Sequence, residues 1–339
     1  MTLLAEPTIP SRRFAAGSTR VDLSLSENPF PPLPSVIAAV RETLTLANRY
    51  PEFLPDQLPR LIAEHLGVRP EEVVVGAGAT GVALQVMRAL GAGELVSSTP
   101  TFDGYPVMAE MTGMTLVPVP LDAAGDQDLP ALRRVVNRRT ALIVVCRPHN
   151  PTGTLLDAGA VRSFLSAVGR KIPVLLDEAY VEFLAPADHL DIHDLLRKHP
   201  NLLILRTFSK AYGLAGLRIG YCLGRAPLID RVRQQQLPFG VPTSAVAAVR
   251  ASYAAEPELR ERVARITHER DRLRAALHAD GIVTPDSHAN FLYLPGPGPA
   301  TTLRRAGIKA KPYPDGSARV AIADPTVSRA IHTALTNRA

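Results

Sequence analysis

Short apolar runs and helix-like stretches alternate along the first two thirds of the chain. Seven runs have the length and apolar character of buried strands, at EEVVVGAG, ELVSSTP, TLVPVPL, ALIVVC, KIPVLLDEA, NLLILRTFS and LRIGYCLG. Helix-like stretches separate most of them, at 103–112, 128–137 and 156–170. This alternation predicts an α/β fold in which helices cover a mostly parallel sheet.

The pattern differs at both ends of the chain. Residues 1–34 are irregular and rich in proline, and helices are predicted at 35–47 and around 56–66, the second ended by Gly67. The elements predicted after residue 225 are a helical stretch at 243–280 interrupted near Pro257, the strand NFLYLP, a helix at 300–306, a strand pair at 308–312 and 318–323, and a helix at 325–337. This tail predicts a smaller α+β domain.

A chain of 339 residues is too long for one small core, so two domains are expected. We divide it into an N-terminal arm (1–40) that contributes to the small domain, a large domain (41–230) and a C-terminal small domain (231–339). The net charge of +6 comes from basic residues interleaved with acids, and the basic cluster at 133–139 is short and lacks aromatic residues. These are typical of solvated helix surfaces, so no nucleic-acid partner is predicted, although a positive balance favours anionic ligands.

The two cysteines, Cys146 and Cys222, lie in apolar runs and are interpreted as core residues. No Cys/His spacing indicates a metal site. The start of the chain lacks the apolar core of a signal peptide, and no apolar run approaches the roughly 18 residues of a membrane helix. A soluble, cytoplasmic protein is therefore expected.

Polar motifs follow four of the predicted strands. They are GAGATG (76–81), HNPTG (149–153), DEAY (177–180) and SK (209–210). Ligands of open α/β sheets bind at the carboxyl ends of the strands, so these motifs are expected to meet in one site. The backbone N–H groups of GAGATG could hold a phosphate, although a plain tight turn explains the glycines equally well.

One of the chain's five lysines, Lys210, lies in the last of these motifs, although Lys and Arg together number 38. Arginine keeps its proton at any working pH, whereas a desolvated lysine can lose it and attack a carbonyl. An ordinary surface lysine is the alternative interpretation.

Together with SENPF and RYPE, the blocks NPTG, DEAY and SKAYGLAGLRIGY closely resemble the fold-type-I pyridoxal-phosphate aminotransferases over residues 21–337. The resemblance is greatest to the histidinol-phosphate aminotransferase branch and its relatives that act on aromatic amino acids. It implies a mostly parallel seven-stranded sheet in a large domain that binds pyridoxal 5'-phosphate, a smaller α+β domain, and a homodimer.

The resemblance also implies the residues that hold the cofactor. Lys210 bonds to the cofactor aldehyde and then moves the substrate proton, and Asp177 pairs with the pyridine nitrogen. Tyr180 and Asn150 bind the phenolic oxygen. The phosphate is bound by the side chains of Ser209 and Arg218, by the backbone N–H groups of Ala79 and Thr80, and by the Thr80 hydroxyl.

Four further residues are placed by the same resemblance. Phe102 stacks on the pyridine face, Tyr105 is the other candidate for this role, and a plain core role is the alternative for either residue. Tyr50 reaches the phosphate of the neighbouring subunit, Arg319 binds the substrate carboxylate, and Asn28 lies on the segment that closes over the substrate.

The chain departs from the family pattern mainly on the substrate side. Lys311 stands where the family has an arginine. Its ammonium is a point charge and lacks the planar guanidinium that can donate two parallel hydrogen bonds to a carboxylate or phosphate. Pro31 replaces a glycine, His149 alters the PNNPTG motif, and residues 323–325 read ADP.

The expected function is a ping-pong aminotransferase that uses histidinol phosphate or an aromatic amino acid with a 2-oxo acid such as 2-oxoglutarate. The alternatives are an amino-acid (phosphate) decarboxylase or a specialised biosynthetic enzyme on the same scaffold. A regulatory domain would need a DNA-binding module, for which residues 1–34 are too short and too rich in proline. A nicotinamide dehydrogenase is rejected because GAGATG, although it has the GxGxxG spacing, lacks the acidic residue expected about twenty positions on, at the end of the next strand.

Overall fold

The computed structural model describes residues 21–337, so residues 1–20 of the predicted N-terminal arm lie outside the description. The strands are β1 (Val21–Asp22), β2 (Val73–Ala77), β3 (Gly93–Thr99), β4 (Met114–Pro120), β5 (Thr140–Cys146), β6 (Val174–Asp177), β7 (Leu202–Thr207), β8 (Ile219–Gly224), β9 (Phe291–Leu294), β10 (Ile308–Lys309), β11 (Lys311–Pro312) and β12 (Ala318–Ala321). The helices are α1 (Pro34–Thr43), α2 (Gln57–Leu66), α3 (Gly78–Leu90), α4 (Gly104–Thr112), α5 (Leu129–Arg134), α6 (Ala158–Val168), α7 (Ile192–Lys198), α8 (Ala226–Arg233), α9 (Thr243–Ala254), α10 (Glu256–Ala279), α11 (Pro299–Arg305) and α12 (Pro325–Thr336).

The seven apolar runs form one sheet in the order β2-β8-β7-β6-β5-β3-β4, which confirms the predicted α/β fold. Its pairs are parallel except those of β8, which runs antiparallel to both β2 and β7. The connection from β7 to β8, residues 208–218, contains no α-helix, only a short 3₁₀ turn. A parallel crossover usually needs a helix, so this short connection reverses the chain instead.

Both faces of the sheet are buried, which explains why the strands read as continuous apolar runs. Val73 and Ile204 face the core beneath α1, α2 and α6, whereas Val74 and Leu203 face the core beneath α3, α4 and α8. Successive side chains of a strand point to opposite faces, so each run supplies both cores.

A three-stranded antiparallel sheet, β11-β12-β9, forms a third core with α10, α11 and α12. The predicted strand 308–312 is wrong in one respect, because it divides into two strands with different partners. Ile308–Lys309 pairs with Val21–Asp22, whereas Lys311–Pro312 pairs with β12. The pattern also missed α7 and α8, which are only seven and eight residues long.

Two predicted helix boundaries are confirmed. Gly67 ends α2 in the left-handed conformation at φ 66°, where glycine is favoured. The helical stretch 243–280 breaks at Ala255, and Pro257 lies in the first turn of α10. Between residues 21 and 337 no helix combines the length and apolar character that crossing a bilayer requires, and no cluster of His, Cys, Asp and Glu could hold a metal ion.

The first turn of α3 packs directly on β8, and this contact depends on a missing side chain. A Cβ atom on Gly220 would lie 2.2 Å from the backbone nitrogen of Ala79. No real contact is this short, so any other residue at 220 must displace the start of α3.

Gly220→Ala is therefore expected to lower the free energy of unfolding by about 1–3 kcal/mol, the usual cost of overpacking. Denaturation in guanidinium chloride measures it. Gly216→Ala is the matched control, because a Cβ there meets nothing within 4 Å. Equal losses of stability in the two variants would contradict the close-approach argument.

Candidate active site

A cavity of about 320 Å³ lies between the carboxyl edge of the seven-stranded sheet and the small antiparallel sheet. Asp177 ends β6, Asn150 follows β5, Lys210 follows β7 and Ala79 follows β2. Arg218 precedes the antiparallel β8, which brings it to the same edge. The predicted residues that line this cavity are Ala79, Thr80, Phe102, Asn150, Asp177, Tyr180, Ser209, Lys210, Arg218, Lys311 and Arg319.

Lys210 enters this cavity with its ammonium held by main-chain oxygens. Nζ donates hydrogen bonds to the carbonyls of Leu25 (3.1 Å) and Ser26 (3.2 Å), and it lies 5.7 Å from the centroid of the Tyr180 ring. Burial, aided by the positive charge of Arg319, lowers the pKa of Lys210 to about 8. More of this amine is therefore neutral near neutral pH than of an ordinary lysine, which allows it to act as a nucleophile and as a base.

Asp177 is buried at the end of β6 with neutral hydrogen-bond donors. Oδ2 accepts from the Tyr105 hydroxyl at 2.5 Å and Oδ1 from the backbone N–H of Ala179 at 3.0 Å. Burial raises the pKa of this carboxyl, and the hydrogen bond from Tyr105 opposes the rise. A cationic ring nitrogen would supply the charge that a buried carboxylate needs, which is how a protonated pyridine fits this position.

Tyr105 is therefore a supporting residue of Asp177, a role that the sequence did not reveal. Its ring is buried and meets Phe102 edge to face, with centroids 5.7 Å apart. A Cβ on Gly104 would lie 2.3 Å from the Phe102 ring, so the glycine leaves room for that ring. Because the Tyr105 hydroxyl is committed to Asp177, Phe102 is the better placed of the two to cover a bound pyridine face.

Groups suited to binding an anion, called the cradle here, come together where α3 begins. Ala79 and Thr80 lie in its first turn, and Gly78 N–H donates to the carbonyl of Arg218 at 2.9 Å. Arg218 has a left-handed backbone, φ 54°, and its guanidinium donates to the carbonyls of Ala215 and Ala77. A helix N-terminus, an exposed guanidinium and the nearby Ser209 hydroxyl match the chemistry of a phosphate dianion.

Arg319 enters the cavity from β12 of the small sheet and is itself buried. It donates to Asn150 Oδ1 at 2.5 Å and to the carbonyl of Ser24 at 2.8 Å, while its buried Nε has no hydrogen-bond partner within residues 21–337. A buried guanidinium with an unused donor is suited to a carboxylate ligand. Burial also raises the pKa of the neighbouring Tyr180 to about 12, so this tyrosine stays protonated at neutral pH.

Two predicted site residues do not line the cavity. Asn28 instead donates from Nδ2 to the backbone oxygens of Lys210 (3.0 Å) and Ala211 (2.8 Å), which ties the N-terminal segment to the lysine's main chain. Tyr50 is 83% exposed and packs on Phe239 with ring centroids 4.8 Å apart.

Lys311 lies at the mouth of the cavity, paired with Asp103. Asp103 precedes α4 and Lys311 lies on β11, so neither residue's sequence context indicates the other. The sequence also gave no signal for the Leu25 and Ser26 carbonyls, because any residue type carries a carbonyl.

The comparisons with known proteins agree with this geometry. Residues 18–330 match the family "Aminotransferase class I and II". An aromatic amino acid aminotransferase of Cutibacterium acnes is 46% identical over 82% of this chain and 80% of its own, and one of Nocardia farcinica is 40% identical over 90% and 88%. The structure of a histidinol-phosphate aminotransferase from Sinorhizobium meliloti, in complex with pyridoxal-5'-phosphate, superposes with a TM-score of 0.85 at 29% identity, covering 94% of this chain and 90% of that one.

The buried carboxylate, the lysine of lowered pKa and the cradle at α3 fit the cofactor of this family at its three chemically distinct ends. Pyridoxal 5'-phosphate carries a ring nitrogen, an aldehyde and a phosphate, and one feature of the site matches each. The chain belongs to the class I and II aminotransferase family and is a pyridoxal-phosphate-dependent aminotransferase.

Proposed function

We propose that this aminotransferase takes the amino group of an aromatic amino acid and transfers it to a 2-oxo acid such as 2-oxoglutarate, working as a homodimer. The observation that supports an aromatic substrate is the set of side chains around Arg319 in the cavity. The buried guanidinium carbon of Arg319 lies 5.2 Å from the centroid of the Phe291 ring, and Tyr313 lines the same cavity, which suits a carboxylate on a flat side chain. The relatives from Cutibacterium acnes and Nocardia farcinica, named as aromatic amino acid aminotransferases, support the same choice.

Each half-reaction requires the substrate to be held while a proton moves at its Cα. Bound pyridoxal phosphate supplies an electron-withdrawing ring that stabilises negative charge next to Cα. Arg319 fixes the substrate carboxylate, and its own position is set by Asn150 and the Ser24 carbonyl. This restraint orients the Cα–H bond toward the amine that removes its proton.

Lys210 is the group that carries that proton. Its Nζ has a pKa of about 8, so the amine can both accept and return a proton near neutral pH. The Leu25 and Ser26 carbonyls hold the protonated form, and Asn28 fixes the main chain beneath it. Asp177, whose carboxylate accepts a hydrogen bond from Tyr105, would pair with the nitrogen of a bound pyridine ring and favour its protonated form.

Histidinol phosphate is the competing substrate, because the Sinorhizobium meliloti enzyme named for it is similar in structure. A substrate phosphate would call for two strong cationic groups at the Arg319 end. Lys311 lacks the two-pronged donor geometry of a guanidinium, and its ammonium is already paired with Asp103. It is therefore a weak second ligand for a phosphate, which favours the aromatic substrate.

An exposed aromatic patch supports the homodimer. It consists of Tyr50, Phe53, Leu54, Leu237 and Phe239, all among the exposed large hydrophobic residues. Phe53 and Phe239 meet edge to face at 5.1 Å, and the N–H of Phe239 donates to the carbonyl of Phe53 at 2.8 Å. Contiguous exposed apolar surface of this kind typically marks a protein interface, and a second copy would bring Tyr50 to the partner's cradle.

Borohydride reduction of the purified protein should fix the cofactor to Lys210, because only a neutral amine in the cavity can bond to its aldehyde. Peptide mapping by mass spectrometry locates the adduct. Lys210→Arg should abolish it, and Lys171→Arg and Lys198→Arg serve as controls that retain it. An adduct on Lys171 or Lys198 would refute the assignment.

Phenylalanine or tyrosine should exceed histidinol phosphate in kcat/KM with 2-oxoglutarate as acceptor. Arg319→Gln should lower kcat/KM for the aromatic substrate roughly tenfold to hundredfold, mainly through KM, because a charge-assisted hydrogen bond to the carboxylate is lost. Steady-state kinetics measures both effects. A preference for histidinol phosphate would overturn the substrate but leave the aminotransferase chemistry intact.

Phe239→Asp should convert the dimer to a monomer and abolish activity, because it places a charge in the aromatic patch. Phe239 has φ 56°, a conformation that Asp tolerates better than Phe, so backbone strain is not added. Val283→Asp is the control, since Val283 is equally apolar and 71% exposed elsewhere. Analytical ultracentrifugation gives the mass, and a fully active monomer of the wild type would rule the dimer out.

Mixing inactive Lys210→Ala subunits with impaired Tyr50→Phe subunits should restore part of the activity. In a hybrid dimer one site keeps both its own Lys210 and the partner's tyrosine, if Tyr50 acts across the interface. Activity assays after mixed refolding measure this. Absence of recovery in mixtures shown to contain hybrid dimers would exclude a shared site.

A further inference from the structure

Two cations face the substrate end of the cavity from neighbouring strands. Lys311 of β11 and Arg319 of β12 are directly opposite each other in the antiparallel register. Cross-strand partners lie on the same face with Cβ atoms about 4.5–5.5 Å apart, so both side chains reach the same space. Both line the cavity. Like charges so placed repel each other unless a third group offsets them.

Asp103 provides that third group from the other side of the mouth. Its carboxylate pairs with Lys311 Nζ, and the side chains of Asp103 and Lys311 are 57% and 33% exposed. Although Asp103 precedes the first turn of α4, its side chain makes no capping hydrogen bond. The carboxylate is therefore directed at Lys311 and does not serve the helix.

We propose that Asp103 is an exchangeable counterion for Lys311 that sets the side-chain specificity of the site. With an uncharged side chain bound, Asp103 stays on Lys311. With an anionic side chain bound, the ligand's second carboxylate replaces Asp103 on Lys311. This inference rests on the proposed function, because an aromatic donor and 2-oxoglutarate must use one site in turn.

The chemistry of the pair suits such an exchange. The aromatic ring of a bound ligand would partly desolvate the Lys311 ammonium, and the attraction of the Asp103 carboxylate offsets part of this cost. Partly exposed ion pairs are weak, so a ligand carboxylate can open this one. Lysine is a point charge on a flexible stem and can turn from one oxygen to another, whereas an arginine fork would bind one partner in a fixed geometry.

The test compares two unreactive ligands of the holoenzyme, glutarate and 3-phenylpropionate, by isothermal titration calorimetry. Asp103→Asn should tighten glutarate about threefold to fivefold relative to 3-phenylpropionate, because no internal carboxylate has to be displaced. Lys311→Gln should weaken glutarate roughly tenfold or more and leave 3-phenylpropionate within about twofold, because only glutarate contacts the ammonium.

The control is Glu110→Gln, which removes one negative charge from α4 at an exposed position outside the cavity. It should leave the ratio of the two dissociation constants unchanged. Because the exposed Asp103 side chain makes no capping hydrogen bond, Asp103→Asn should fold normally, which thermal denaturation verifies.

An unchanged ratio in Asp103→Asn, or an equal gain for both ligands, would overturn the exchange. A wild-type enzyme that transaminates neither phenylalanine nor 2-oxoglutarate would overturn the proposed function instead. The two failures are distinct, because the ratio of dissociation constants does not depend on turnover.

Discussion

The site depends on two ionisable groups that the fold keeps out of water at the carboxyl edge of the sheet. Burial raises the pKa of Asp177 and lowers that of Lys210 to about 8, so each group is shifted toward its neutral form. Their hydrogen-bond partners, the Tyr105 hydroxyl and the carbonyls of Leu25 and Ser26, carry no charge. A ligand with a cationic ring nitrogen and an electrophilic carbon satisfies both groups at once, and the surrounding architecture serves to place them.

The sequence predicted the parts of this arrangement that residue type alone determines. Buried strands read as apolar runs, Gly67 marked the end of α2, and a lysine among arginines indicated a nucleophile that must lose its proton. Residues such as Asp177 and Lys210 follow apolar runs, and the ends of parallel strands meet at one edge. Their clustering therefore follows from the order of the motifs.

Features that depend on tertiary pairing could not be predicted in this way. Periodicity gives burial but not strand direction, so the reversal of β8 and the division of 308–312 between two sheets appeared only in the structure. The link between Tyr105 and Asp177 joins two motifs that are separately ambiguous in sequence. The pairing of Asp103 with Lys311 needs the small sheet to dock against α4.

The parts of the cavity that would hold the cofactor and the substrate differ in how they are built. The residues at the cofactor end are positioned by the seven-stranded sheet and by the start of α3. These two elements approach closely at Gly220 and Ala79, where a larger residue would strain the structure. The substrate end is built from side chains that cross between elements. Arg319 is held by Asn150 from the large sheet and by Ser24 from the N-terminal segment.

The N-terminal segment, residues 24–28, is in turn held in place by hydrogen bonds of two side-chain amides. Asn290 donates to the Ser26 and Glu27 carbonyls, and Asn28 donates to the main chain of Lys210. A movement of this segment would therefore displace hydrogen-bond partners of both the Arg319 guanidinium and Lys210. Lys311 and Asp103 lie outside this network, in a partly exposed pair. Their charges can change with little effect on Lys210, which makes this pair the part of the site where a new substrate preference can arise at the least cost to the chemistry.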